Sequence, residues 1–273
     1  MKFLGIDLGW SSGASGLCCL DLKDGQLRLL DLDRKESIAE ILTWIDTWVQ
    51  QEEPAIIAVD APTLIPNATG MRLPDKLTHK YFGKYHAGCY PANLSLPFAQ
   101  RTVDFGLALE ARGFNHAPEI IPQMPGRYQI EVFPHPAIVH LFQLERILKY
   151  KKGKLAERYL ELLKLRQHII NILSTLEPAM VLPTTEIATQ NAAIHFILRT
   201  DPSALCPLPS ALLLKAVEDQ LDSLICAYVG AHWWYWGLER NWVLGDRASG
   251  YIVIPAPVQA VNLDGAGVLR PEN

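Results

Sequence analysis

Long hydrophobic runs are missing from this chain of 273 residues: no uninterrupted apolar stretch reaches the ~18 residues that a membrane-crossing helix needs. Cysteine is sparse and odd in number, with Cys18, Cys19, Cys89, Cys206 and Cys226 and no C-x-x-C spacing. That argues against a disulfide framework or a thiolate zinc site. Reduced, mostly buried thiols in a cytoplasmic protein are the expectation. A large charge of one sign is lacking too, since 25 Lys and Arg face 29 Asp and Glu for a net charge of −4. This argues against a surface coated in basic charge for nucleic acid, though not against a local patch. Nor does it oppose a carboxylate metal site, because bound cations offset clustered acids. The chain opens on the strand-like MKFLGID, so no signal peptide is expected. There is no internal repeat or low-complexity segment. The histidines (His79, His86, His116, His135, His140, His168, His195 and His232) show no H-E-x-x-H spacing.

What is present is a 49% hydrophobic composition, enough for a sizeable core, arranged in alternating strand and helix signals. Residues 2–7, 16–21 and 26–33 read as three antiparallel strands, the last two joined at Asp24-Gly25. Ser37 and Glu40 form a capping-box signal before apolar residues at helical spacing, and Pro54 ends that helix. Residues 55–60 (AIIAVD) are a continuous apolar run, the mark of a parallel strand buried on both faces. Residues 61–95 show no clear period and read as a long loop or insertion near the site. Helices are expected over 97–112, 137–149, 155–176 and 211–232, and a strand over 128–133. A proline-rich stretch covers 202–209. Residues 242–246 and 251–255 read as a hairpin, and the tail 256–273 has little pattern.

Three of the apolar runs carry an acid at or near their C-terminal ends: Asp7, Asp60 and Glu131. Ligands of open α/β sheets gather beyond those ends. On the 211–232 helix, Glu218, Asp219 and Asp222 lie three or four apart and share a side, with Leu221 on the buried face. Converging carboxylates suit Mg²⁺ or Mn²⁺, hard cations that prefer oxygen. Two such ions can clamp the attacking and leaving oxygens of a phosphoryl displacement. Taken singly, Asp7 and Asp60 could equally cap turns. Glu131 could pair with Arg72, Arg101 or Arg127 instead.

The segments GIDLGW (5–10), AVDAP (58–62), IEVFPHP (130–136), EDQLDSLICAYVGA (218–231) and GDRASGYIVIP (245–255) occur in an order that resembles a domain-of-unknown-function family described as predicted RNase H-like nucleases. The resemblance implies a ribonuclease H-like α/β fold: a mixed five-stranded sheet flanked by helices, here followed by a C-terminal β-hairpin. It implies one domain over 1–273 with an insertion at about 61–127. It implies Asp7, Asp60, Glu131, Asp219 and Asp222 as catalytic acids, with Asp7, Asp60 and Asp222 as ligands of Mg²⁺ or Mn²⁺. Gly70-Met71-Arg72 resembles the Gly-x-Arg that follows the second acid, which implies Arg72 as a substrate contact. Ser223 departs from the pattern, where a small apolar residue is expected.

A metal-dependent nuclease is therefore the expected function, with DNA or RNA as partner. The one basic cluster, Lys149, Lys151, Lys152, Lys154 and Arg158, offers Lys154 and Arg158 as phosphate contacts, although such runs are more often solvated helix starts. His135 could reach the site as a proton carrier. The aromatic run Trp233–Trp236 is expected to pack rather than stack on bases. Two other functions remain open. Asp7-Leu8-Gly9-Trp10-Ser11 fits the D-x-G-x-S phosphate loop of the actin and sugar-kinase superfamily, which would make the chain an ATP-dependent kinase, but no second glycine-rich loop is found. A non-catalytic binding module would keep the acids for structure.

Overall fold

A computed structural model describes residues 1–10, 13–182 and 210–257. Ser11, His195, Cys206, the proline-rich stretch 202–209 and the tail from 258 lie outside the described residues. The chain forms a mixed α/β structure in which β1 (Lys2–Asp7), β2 (Ser15–Lys23) and β3 (Gln26–Lys35) make an antiparallel meander. α1 (Ile38–Trp48) starts at the Ser37–Glu40 capping box and crosses to β4 (Ala55–Val59), which lies parallel to β1. β6 (Arg127–Glu131) adds in parallel beyond β4. The central order β6-β4-β1-β2-β3, with only β2 reversed, is the mixed five-stranded sheet of a ribonuclease H-like fold. Two short strands extend its edges, β5 (Asn115–His116) beside β6 and β7 (Ala179–Val181) beside β3.

Helices cover both faces. α1 and α3 (Ala99–Glu110) pack on Leu4, Ile6, Ile57 and Val59. α4 (Pro134–Leu141), α5 (Leu155–Ile172) and α6 (Ala211–Trp236) pack on the other face, over Phe3, Ile56, Ala58 and Ile130. The hairpin of β8 (Asn241–Asp246) and β9 (Gly250–Pro255) forms a second sheet that touches the first at Val132 and Val253.

Two expectations change. Residues 61–95 are not all irregular, because α2 spans Leu73–Phe82. Its buried side includes Asp75 and Thr78 as well as Leu77 and Phe82, so polar residues interrupt the apolar period that would reveal it. The helix expected over 137–149 begins at Pro134 and ends at Leu141. Its prolines occupy the first turn, where a missing N–H costs no helical hydrogen bond.

The approach of α6 to the sheet sets up the site. A Cβ on Gly5 would overlap Ser223 O and Ala227 N, and one on Gly16 would overlap Asp219 O. These two glycines let the helix backbone rest directly on β1 and β2. Small residues are needed on the helix side too, and Ser223 meets that need while its hydroxyl donates to Gln220 O (2.8 Å).

Candidate active site

Strand parity decides which acids meet. Side chains alternate between the faces of a strand. On β1, Phe3, Gly5 and Asp7 face α6, and on β4 Ile56 and Ala58 do, followed by Asp60. Asp60 N donates to Ile6 O (2.8 Å), which carries the parallel pairing one residue past the strand. Asp7 and Asp60 thus stand side by side, close enough that each bears on the other's charge. Asp222 comes down from α6, fully buried, and accepts from Tyr150 Oη at 2.7 Å. Its other oxygen, Oδ2, lies 2.7 Å from Lys151 Nζ but accepts no well-formed hydrogen bond.

Glu131 is out of phase by one residue. Its register row contains Ile6 and Val59, which face α1 and α3. There it meets Arg72, a guanidinium only 3% exposed. Arg72 grips both Glu131 oxygens at 2.7 Å, donates to Asp75 Oδ1 through Nε (3.2 Å) and Nη2 (2.8 Å), and reaches Leu64 O (3.0 Å). These five bonds use all five guanidinium donors. Of the partners open to Glu131 in the sequence, Arg101 instead donates to Gly9 O (2.8 Å), and Arg127 donates to the carbonyls of Arg112, Gln50 and Glu53.

Asp219 lies one helical turn before Asp222 and is held by Arg34 Nε (3.1 Å) and Lys215 Nζ (2.6 Å). Arg158 turns to Glu218 Oε2 (3.1 Å) and Tyr150 O (2.9 Å). Lys154 stands exposed at the start of α5. The structure therefore gathers Asp7, Asp60 and Asp222, and directs Glu131, Asp219 and Arg158 to other partners.

The electrostatics follow from this crowding. Burial, more than any neighbour, pushes the Asp60 carboxyl up to about 7 despite Lys151, and Asp222 adds to the rise. Burial also raises Asp7 well above the usual carboxylate range, with Asp222 and Asp60 contributing. Burial opposes the charge of Lys151, but Asp222, Asp7 and Asp60 outweigh it and hold the ammonium protonated. His135 is lowered to about 4, chiefly by burial and then by Lys151, so its ring is neutral. Its Nδ1 is buried and has no hydrogen-bond partner.

Lys151 is the residue whose place the sequence conceals. It sits in a charged run, Lys149-Tyr150-Lys151-Lys152-Gly153-Lys154, that reads as solvated. The structure instead directs its ammonium among the three carboxylates. Among the described residues, no three His, Cys, Asp or Glu side chains close on a metal position as they stand. The donor chemistry nevertheless fits a hard divalent ion: Asp7 and Asp60 stand side by side, Asp222 adds its charge to both, one Asp222 oxygen lacks a hydrogen bond, and the nearest compensating charge is a displaceable ammonium, that of Lys151.

Asp7 and Asp60 lie in the wall of a cavity of about 810 Å³, which Trp10, Tyr90, Phe98, Phe133 and Lys151 also line, while Asp222 is buried behind it. The Trp10 indole donates to Asp60 O (3.1 Å), and its ring packs against Phe98 at 4.6 Å. The connection between β4 and β6 thus supplies much of the cavity's aromatic wall.

A family model described as "Protein of unknown function (DUF429)" matches residues 5–241. Among solved structures, that of RuvC from Thermus thermophilus is similar at 14% identity and a TM-score of 0.32, covering 85% of this chain and 98% of that one. The strand order, rather than that remote likeness, defines the fold. Comparison with curated proteins finds no match. No helix of the described residues is long and apolar enough to cross a membrane.

Proposed function

We infer that this chain, which belongs to the DUF429 family, is a divalent-cation-dependent phosphodiester hydrolase, a nuclease in the broad sense. One observation supports this above the others: Asp7 and Asp60 stand at two neighbouring strand ends in the wall of a large cavity, and Asp222, buried on the helix behind them, adds its charge to theirs. Asp7, Asp60 and Asp222 would hold Mg²⁺ or Mn²⁺. When bound, the ion would neutralise the phosphodiester and make a water molecule more acidic.

The chain's own groups divide the remaining work. Tyr150, a phenol that burial and then Asp222 keep protonated, fixes the Asp222 carboxylate through its hydrogen bond. Lys151, once released from Asp222, offers its ammonium to the phosphate oxygens from within the same cavity. Arg72, Glu131 and Asp75 form a buried ionic block that holds the connector against β6. His135 presents a neutral ring whose Nδ1 has no hydrogen-bond partner within the chain.

The test is hydrolysis of DNA, RNA, hybrids and junctions with Mg²⁺ or Mn²⁺, by wild type beside Asp7→Asn. Metal-dependent cleavage lost in the variant is the expected result. Identical behaviour of the two proteins on every substrate would overturn the reading. A second reading, a non-catalytic module, is favoured by the ion pairs that neutralise Asp219, Asp222 and Glu131 within the chain. It requires that neither ion bind, which calorimetry decides.

A further inference from the structure

The cavity and its lining point to a substrate class. Duplex-binding proteins commonly engage many phosphates over an extended basic surface, and a protein making ~6–10 phosphate contacts shows it in its salt dependence. Here the net charge is −4. The basic run is also partly consumed within the chain, with Lys151 paired to Asp222 and Arg158 to Glu218. Of that run, Lys149 and Lys152 stand exposed at the cavity. That is enough charge for one or two phosphates.

The cavity itself has the dimensions of a small-ligand site. Its volume of about 810 Å³ lies within the roughly 300–1,000 Å³ typical of such pockets. Aromatic rings line it beside the carboxylates, and the Tyr90 ring is 76% exposed. Phe133 stacks on His135 at 5.9 Å and 18° between planes, so one aromatic platform is already built next to Lys151 and Asp222. Flat rings beside a phosphate-handling centre are what recognition of an unpaired base requires, since each base offers a face for stacking.

We propose that the site takes a single unstacked nucleotide with its phosphodiester, supplied either as a dinucleotide or as the end of a single strand, and does not accept an intact duplex. This rests on the phosphodiesterase reading above. The base lies among Tyr90, Phe133 and Trp10, and the phosphate lies at Asp7 and Asp60, with Lys149 and Lys152 exposed at the same cavity and Lys151 joining once it is released from Asp222.

The experiment titrates the full chain, in Ca²⁺ to hold back cleavage, with thymidylyl-thymidine, a twelve-residue oligothymidylate and a blunt duplex, and then measures cleavage of each in Mn²⁺. The dinucleotide, the single strand or both should bind at least tenfold more tightly than the duplex, and their ratio identifies the source. Tyr90→Ala should weaken that binding by about tenfold, the loss of one stacked base. Because Tyr90 is exposed, this variant keeps its fold, and Phe133→Leu provides an independent check. Equal binding of duplex and single strand, or binding indifferent to both substitutions, overturns the proposal even where Mn²⁺-dependent cleavage is seen. Nucleotide binding that depends on Tyr90, without cleavage of any substrate, leaves the pocket standing and removes the phosphodiesterase. No binding of any probe removes both.

Discussion

Replacing Lys151 with Met keeps most of the side chain's length and removes its charge. In the metal-free protein this strips the counter-ion from a buried Asp222 2.7 Å away and from the neighbouring Asp7 and Asp60. Breaking a buried ion pair from one side costs about 3–5 kcal/mol. The Lys151 side chain is 29% exposed, so the lower end, about 3 kcal/mol, applies. For a chain of this size each kcal/mol moves Tm by roughly 2–4 °C, giving a fall of about 6–12 °C at pH 8 in chelator. At pH 5 the freed carboxylates take up protons, so the loss should shrink. A divalent ion replaces the lost charge: at a hundred times its Kd it adds about 2.7 kcal/mol, which restores most of the stability. Wild type should gain less from the ion, because Lys151 must first be displaced. Thermal unfolding of both proteins in chelator, Mg²⁺ and Mn²⁺, with calorimetry for affinity, reads all of these. An unchanged Tm without metal, or a variant that metal does not rescue, would refute the idea that an ammonium and a cation compete for one place.

Gly5→Ala forces α6 off the sheet, because the new methyl overlaps Ser223 O and Ala227 N, and should cost at least the roughly 1–3 kcal/mol of overpacking, seen as a lower urea midpoint. Hydrolysis should fall with it, since Asp222 moves away from Asp7. Arg72→Met leaves Glu131 and Asp75 buried without a cation and should cost about 3–5 kcal/mol. Glu131→Gln should cost less, because Arg72 keeps Asp75, and urea unfolding of the two separates these effects. Below about 7 the Asp60 carboxyl holds a proton that an ion must expel, and burial raises Asp7 in the same direction, so Mg²⁺ affinity should rise with pH through about 7. Calorimetry at pH 6 in two buffers of different ionisation enthalpy detects the released protons, and identical heats would contradict the assignment.

Much of this arrangement is readable from the residues. Apolar runs ending in acid mark β1 and β4, and the capping box marks α1, because these signals are local. The meeting of Asp7 and Asp60 follows from strand parity once the two strands are parallel neighbours. The same rule separates Glu131, whose neighbour Ile130 is the residue facing α6. The choice of Arg72 among three arginines is not local, since it depends on where α2 packs. Lys151 is hidden for a different reason: a lysine in a charged run looks solvated until the fold brings three carboxylates to it. Gly5 and Gly16 lie in ordinary strand sequence, and only the nearness of α6 explains why no side chain fits there.

The C-terminal hairpin bears on how this protein is to be shortened. The family match ends at residue 241, before most of β8 and all of β9. Yet the Tyr251 hydroxyl donates to Gln129 O (2.9 Å) and accepts from Ala117 N (3.0 Å), and Ile252 lines the cavity. A chain trimmed to the family boundary would lose a brace across two strands and leave Phe82 and Leu77 without their covering partners. Such a fragment should be insoluble or partly unfolded, so expression for crystallography or enzymology has to run past Pro255.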